Sequence, residues 1–334
     1  MNIAFHTLGC KLNFSETSFI ANDLKEEGFN EVSFNDTANF YIINTCSVTE
    51  NANKECKYLV RKVLKKNPQG KVIIIGCYAQ LKPKEIAKIE GVDLVIGNNE
   101  KFKLKKYLNN ISKKSKTKII QKPVKELTDF KTSFSFGSRT RSFLKIQDGC
   151  NYKCTFCTIP LARGKSRSNS ISNVINQIIQ LKQNNVKEIV LTGINLGDFN
   201  NEQNEKLIDL LKAIEELKDI RVRISSIEPN LITTEIIDIV SKSKVLVPHF
   251  HIPLQSGSDK ILKLMKRRYL SYHYKKVIEE INNKVPNVCI GVDVIVGFPG
   301  ESEEHFNETL SFLKSIEISY LHVFTYSERE NTEA

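Results

Sequence analysis

Four short apolar runs punctuate the first hundred residues, at Ile3–Leu8, Phe40–Asn44, Val72–Ile75 and Leu94–Ile96. Stretches of helical spacing lie between and after them, at Ser15–Glu27, Asn51–Lys66, Pro83–Ile89 and Lys101–Leu108. Strand-length runs alternating with helices predict parallel strands joined by crossover helices that cover both faces of a sheet. In an open sheet of this kind the loops at the carboxyl ends of the strands gather along one edge, where ligands bind. Cys10, Cys46 and Cys77 each fall just past a predicted strand, although they are 36 and 31 residues apart. Free cysteine is often a small buried hydrophobe, but the same placement three times predicts a cluster of thiols at that edge. Cys56, within a helix, and Cys289, opening a strand, are read as buried.

A second group is compact: Gly149-Cys150-Asn151-Tyr152-Lys153-Cys154-Thr155-Phe156-Cys157. Eight cysteines in 334 residues do not make a disulfide scaffold, which is short and cysteine-dense. Metal or redox chemistry is the better reading. Three thiolates spaced C-x3-C-x2-C can hold an iron–sulfur cluster while one iron stays without a protein ligand. Most electron-transfer clusters use four cysteines, so the missing fourth marks a position reserved for a small molecule. The same logic separates catalytic from structural zinc sites. Zinc is the structural competitor, with His249 and His251 far away in sequence.

The formal charge of +11 is concentrated: residues 101–145 carry 14 Lys and Arg, from Lys101 to Lys145, against Glu126 and Asp129. A basic stretch of that density points to a polyanion, nucleic acid first, and otherwise to a solvated linker. No apolar run approaches the roughly 18 residues that span a bilayer. The start Met1-Asn2-Ile3-Ala4-Phe5-His6 has no secretory pattern. A cytoplasmic protein without membrane contact is expected.

Beyond the second cysteine group, strand-like runs recur at Phe143–Ile146, Glu188–Leu191, Arg221–Ser225, His249–Leu254, Cys289–Val296 and Tyr320–Thr325. Helical patterns separate them at Ser172–Gln183, Lys206–Leu217, Thr233–Ser241, Asp259–Met265 with Tyr272–Asn282, and Glu303–Ser315. Six such units predict an open (βα)6 barrel with its active site at the carboxyl ends of the strands.

The Cys150–Cys157 loop, with Phe156 before the last cysteine, resembles the signature of radical S-adenosylmethionine enzymes. With the upstream sheet, the resemblance narrows to the radical methylthiotransferases and covers essentially the whole chain. It implies a flavodoxin-like N-terminal methylthiotransferase domain at 1–110, a basic linker at 111–138 and a radical-SAM partial (βα)6 barrel at 139–334. It also implies two [4Fe-4S] clusters: an auxiliary one on Cys10, Cys46 and Cys77, and one on Cys150, Cys154 and Cys157 whose open iron is chelated by S-adenosylmethionine. Thr192, Gly193 and Asn195 resemble the segment contacting the methionine part of that cofactor, and Gly297 opens a loop like the one on its adenine side. Glu228 and Gln255 are candidate polar contacts to cofactor or substrate. Arg163 is expected to face RNA phosphates or the cofactor carboxylate.

Thr7-Leu8-Gly9-Cys10-Lys11-Leu12-Asn13, Asn44-Thr45-Cys46-Ser47-Val48-Thr49 and Gly76-Cys77-Tyr78-Ala79-Gln80 look like the branch that methylthiolates threonylcarbamoyladenosine beside the tRNA anticodon. The isopentenyladenosine and ribosomal-protein aspartate branches are the alternatives, and a noncatalytic metal-bound RNA-binding protein is the alternative of another class. Sulfur insertion at an unactivated C–H is beyond any side-chain acid, base or nucleophile, so cofactors must carry it. In the family, the Cys150–Cys157 cluster reduces S-adenosylmethionine to a 5′-deoxyadenosyl radical, and the auxiliary cluster is where sulfur is methylated and transferred. The clusters and base are expected to share one cavity between the domains. A reducing electron donor and a sulfur donor are implied partners. The base must be splayed from the anticodon loop, with Lys101–Lys145 supplying phosphate contacts. The family commonly continues into a small TRAM-type RNA-binding β-barrel; this chain ends at Ala334 and is expected to lack it.

Overall fold

The computed structural model describes residues 1–334 except Val48, Asn109, Asn110, Ser112, Lys114, Ser115, Gly137, Ser138 and Arg139. Val48 of the second cysteine motif and Lys114 of the basic stretch therefore lie outside the described residues. The chain divides into two compact units, residues 1–137 with 158–165 and residues 138–157 with 166–334. Among the described residues no helix is long and apolar enough to cross a membrane.

The first unit is built on six parallel strands: β1 (Asn2–Thr7), β2 (Asn30–Val32), β3 (Phe40–Thr45), β4 (Lys71–Gly76), β5 (Val92–Ile96) and β6 (Lys118–Ile120). Their order is β2-β1-β3-β4-β5-β6, the doubly wound arrangement expected for a flavodoxin-like sheet. Alternating residues of the central strands feed two cores. Tyr41, Ile43, Val72 and Ile74 pack with Val60 and Val63 of the helix α2 (Glu50–Lys66). Ile42, Ile73 and Ile75 pack with Ile20 and Leu24 of α1 (Lys11–Glu26). Apolar side chains on both faces explain why these strands read as continuous runs rather than alternating ones. The two outermost strands, β2 and β6, are three residues long, and each carries a charged residue. No apolar run signals them, and β6 lies inside the basic stretch.

The helices expected over 83–89 and 101–108 are shorter than their sequence patterns, at Pro83–Ile86 and Lys105–Leu108. Two other helices bear on the site: α3 (Cys77–Leu81), directly after β4, and α4 (Ile159–Arg163). The chain enters the first unit again for the segment that carries α4.

The second unit holds six more parallel strands: β7 (Arg141–Lys145), β8 (Glu188–Thr192), β9 (Arg221–Ile224), β10 (His249–His251), β11 (Cys289–Val296) and β12 (Tyr320–Thr325). β8 pairs with both β7 and β9, and β11 with both β10 and β12. Bridges Val222↔Leu246 and Ser226↔His251 join the two sets, so the strands follow sequence order around an open barrel. Helices α5 (Ile171–Gln183), α6 (Leu207–Glu215), α7 (Thr234–Lys242), α8 (Asp259–Leu264), α9 (Ser271–Lys284) and α10 (Glu303–Lys314) connect them, as the sequence pattern predicts. β10 stops at His251, short of the expected Leu254. Pro253 has no N–H to give the ladder, and the Leu254 and Gln255 amides both donate to Asp293 O, at 3.1 and 2.8 Å. Gln255 takes φ +69°, which turns the chain out of the strand.

Ile74 is fully buried at the centre of the first sheet. Ile74→Ala is expected to cost about 2–5 kcal/mol through lost burial and the cavity left behind. A lowered midpoint in urea unfolding is the measurement that checks it.

Candidate active site

In the first unit the three cysteines lie where the parallel sheet puts them, at the carboxyl ends of β1, β3 and β4. Cys10 occupies the N-cap of α1 without a side-chain capping bond, and Cys77 is the first residue of α3. A helix N-terminus favours a negative group such as a thiolate, and α1 is long enough for its dipole to matter. Glycines make the approach possible. Gly9 has φ +95°, and a Cβ there would fall 2.6 Å from Cys46 Cβ and 2.9 Å from its Sγ. Gly76 has φ +99°, and its Cβ would collide with Asn44 Oδ1 and fall 2.6 Å from Thr45 O. Of the two remaining cysteines, Cys56 is buried as expected, with burial pushing its thiol up to about 12, whereas Cys289 is only half-buried at the start of β11.

Behind this edge lies a buried polar network. Both carboxylate oxygens of Glu16 accept from Arg163, Oε1 from Nη1 and Oε2 from Nη2, each at 3.0 Å. Lys101 Nζ donates to Glu16 Oε2 at 2.5 Å and to Asn98 Oδ1 at 2.9 Å. Arg163 Nη2 also donates to Asn13 Oδ1 at 2.5 Å, and Asn13 Nδ2 reaches back to Leu8 O and Thr45 O. Asn98 Nδ2 donates to Ala162 O at 2.7 Å and to Cys77 Sγ at 3.7 Å. Burial of its thiol pushes the Cys10 pKa up although the residue as a whole is exposed, and the Arg163 guanidinium is the strongest influence pulling it back.

This arrangement corrects two expectations. Arg163 is 1% exposed and engaged by Glu16 and Asn13 rather than turned toward phosphates. The ends of the basic stretch are interior: Lys101 pairs with Glu16, and buried Lys145 with Asp148 at 2.7 Å. Lys103, Lys105, Lys122 and Lys131 are exposed.

In the second unit Cys150, Cys154 and Cys157 follow β7. Burial pushes the Cys150 thiol up to about 11 and also raises that of Cys154, where the Arg267 guanidinium opposes it most. Arg267 Nη1 donates to Cys154 Sγ at 3.1 Å, and its Nη2 is paired with the Glu228 carboxylate. Bound iron would offset the burial cost by holding the thiols deprotonated. Phe156 meets Phe298 edge-on at 6.4 Å, and Phe298 meets Tyr326 at 5.5 Å.

Gln147 ties this loop to the end of β8. Its Nε2 donates to Gly149 O at 2.8 Å, while its Oε1 accepts from the amides of Ile194 and Asn195 at 2.8 and 3.1 Å. Gly193 is needed there, because a Cβ would fall 2.8 Å from Gln147 Oε1. Thr192 is buried with its hydroxyl donating to Val190 O. Asn195 Oδ1 accepts from the Glu228 amide, and its Nδ2 is buried with no hydrogen-bond partner among the described residues. An unpaired buried donor costs about 1–3 kcal/mol, and a carboxylate ligand would satisfy it. Glu228 is committed to Arg267, and Gly297 takes φ +77° with open space where a Cβ would be.

Three thiols with no fourth protein ligand suit a cluster with one open iron better than a closed structural zinc site. A zinc ion bound at about 2.3 Å would draw its sulfurs to roughly 3.8 Å from one another. Among the described residues, neither trio is a group of ligand atoms all within 4.8 Å, whereas His251, Asp293 and His322 are. Arg267, Glu16, Lys101 and Asn98 were not legible as site residues. Arg267 carries no local motif and stands 113 residues from the cysteine it contacts.

Residues 144–313 match the model of the Radical SAM superfamily, and residues 2–97 match that of the Uncharacterized protein family UPF0004. The Threonylcarbamoyladenosine tRNA methylthiotransferase MtaB of Aquifex aeolicus is 41% identical, over 100% of this chain and 82% of that protein. The protein of the same name from Bacillus subtilis is 42% identical, over 99% and 75%. The tRNA-2-methylthio-N(6)-dimethylallyladenosine synthase of Clostridium tetani is 34% identical, over 98% and 74%. In fold, the chain is similar to the radical S-adenosylmethionine methyltransferase TsrM of Kitasatospora setae, with TM-score 0.70 at 12% identity over 97% of this chain and 72% of that one.

Gly9→Ala and Gly76→Ala are expected to displace the first trio without touching the second. Anaerobically reconstituted variants should hold about half the iron of the parent, roughly four atoms instead of eight, as read by iron analysis.

Proposed function

Because the chain belongs to the radical S-adenosylmethionine methylthiotransferases, we propose that it adds a methylthio group to C2 of N6-threonylcarbamoyladenosine at position 37 of tRNA. The observation that carries this reading is 41–42% identity, over essentially the whole chain, to two enzymes named for threonylcarbamoyladenosine. Relatives named for dimethylallyladenosine stand lower, at 33–34%.

In this reading Cys150, Cys154 and Cys157 hold one [4Fe-4S] cluster and Cys10, Cys46 and Cys77 the other. Together with S-adenosylmethionine the clusters supply the radical and sulfur chemistry that no side chain can. The chain's own residues bind and orient. Gln147 fixes the Thr192–Asn195 turn, and Asn195 Nδ2 offers a buried donor to the cofactor carboxylate. Gly297, with no Cβ and open space beside it, leaves room for the adenine. Gln255 and the Arg267–Glu228 pair are the further polar groups for cofactor or substrate. A reductant and a sulfur source complete the reaction. Of the exposed lysines of the basic stretch, Lys103 and Lys122 are paired with Glu100, Lys105 with Glu27 and Lys131 with Asp129, so Lys106, Lys116, Lys118 and Lys125 are the better candidates for RNA phosphates.

The test is mass spectrometry of nucleosides from tRNA incubated anaerobically with the reconstituted enzyme, reductant and S-adenosylmethionine. The methylthio derivative of threonylcarbamoyladenosine is the expected product. Formation of the dimethylallyladenosine derivative instead would reassign the substrate, and neither product would reject a tRNA substrate. Replacing Cys150, Cys154 and Cys157 with Ala should abolish reductive cleavage of S-adenosylmethionine. Replacing Cys10, Cys46 and Cys77 should leave cleavage but stop methylthiolation.

A further inference from the structure

Three side chains on adjacent strands of the second unit converge: His251 on β10, Asp293 on β11 and His322 on β12. Asp293 Oδ1 lies 2.9 Å from His251 Nε2 and 3.0 Å from His322 Nδ1, and all three residues bring a ligand atom within 4.8 Å of the others. Strand register produces this. Asp293 pairs directly with His322, and His251 pairs with Gly291, two residues before Asp293 on the same face.

Gly291 leaves the space that orders the imidazoles. A Cβ there would collide with the Tyr320 ring, so the tyrosine lies over the glycine. That ring stacks on His251 with 8° between planes and on His249 with 19°. Ser226 Oγ, 2.7 Å from His251 Nδ1, holds the other ring nitrogen. Metal-binding histidines characteristically have such a partner, which fixes ring orientation. Burial pushes the Asp293 carboxyl up, but the two imidazoles outweigh it and hold the group below its usual range.

Two imidazole nitrogens and a carboxylate oxygen converging on one point need a proton or a cation between them. Two His and one carboxylate are a donor set for divalent first-row ions. Both imidazoles now lie at ordinary hydrogen-bond distance from Asp293 Oδ1, and a bound ion would take the place of the protons they share with it. The His322 side chain is 54% exposed, so an ion can enter from solvent. We propose that His251, Asp293 and His322, none of them a member of either cysteine trio, bind a divalent first-row transition-metal ion with its remaining positions open to water.

The test uses anaerobically reconstituted protein, whose cluster cysteines are occupied. It is titrated with Mn(II), followed by the electron paramagnetic resonance of the free ion, and with Zn(II) by calorimetry. One saturable ion per chain is expected, with affinity at least about tenfold weaker in His322→Ala and in Asp293→Asn. His322 is exposed, so His322→Ala keeps the test valid if Asp293→Asn fails to fold, as thermal unfolding would show. Absence of saturable binding by the parent protein overturns the proposal. So does equal affinity in His322→Ala, or loss of the ion in Cys289→Ser instead.

Discussion

One buried carboxylate organises the first unit. Glu16 is fully buried, and it takes both arms of the Arg163 guanidinium as well as the Lys101 ammonium. Both cations thus meet on one carboxylate in the interior, beside the sheet edge that carries Cys10, Cys46 and Cys77. Buried charges are tolerated only when paired and hydrogen-bonded, and here Asn13 and Asn98 supply the remaining contacts. Those two asparagines also hold the backbone at Leu8 and Thr45 and the sulfur of Cys77. The same network that neutralises Glu16 therefore sets the geometry of the cysteine loops.

The two units reach comparable cysteine arrangements by different means. In the first, the thiols come from separate strands, so backbone proximity is the difficulty, and Gly9 and Gly76 resolve it by positive φ and the lack of a Cβ. In the second, the thiols share one loop, and the difficulty is holding that loop against the next strand end. Gln147 resolves it by donating to one backbone segment and accepting from the other.

Much of this was legible in the sequence because it depends on local pattern. The runs Phe40–Asn44 and Val72–Ile75 became β3 and β4, and Cys289–Val296 and Tyr320–Thr325 became strands over the same residues. Close spacing singled out Cys150, Cys154 and Cys157, and placement just past three strands singled out Cys10, Cys46 and Cys77. Charge pairing was not legible, since Glu16 finds Lys101 across 85 residues and Arg163 across 147. Composition alone put Lys101 on a basic surface, whereas folding places it in the core. The edge strands β2 and β6 escaped for a related reason: three residues with a charged member give no hydrophobic signal, and the neighbouring strand supplies their pairing.

Each cysteine trio has an arginine held by a glutamate: Arg163 by Glu16, and Arg267 by Glu228. Three thiolates on a [4Fe-4S] core in its usual oxidised state leave about one negative charge, and nearby charge and hydrogen bonds to sulfur tune such a centre's potential. Arginine suits the position better than lysine. Its fork can serve a carboxylate and a second acceptor together, and it cannot lose its proton, so the cation persists when the neighbouring thiols are neutral. The glutamate holds that fork in place: Arg267 reaches Cys154 with one nitrogen while another is held by Glu228. In the first unit the charge of Arg163 opposes the rise that burial imposes on the Cys10 thiol, and Asn98 Nδ2 donates to Cys77 Sγ. Long-range pairing of glutamate with arginine thus fixes, at both trios, the position of a guanidinium close to the thiols.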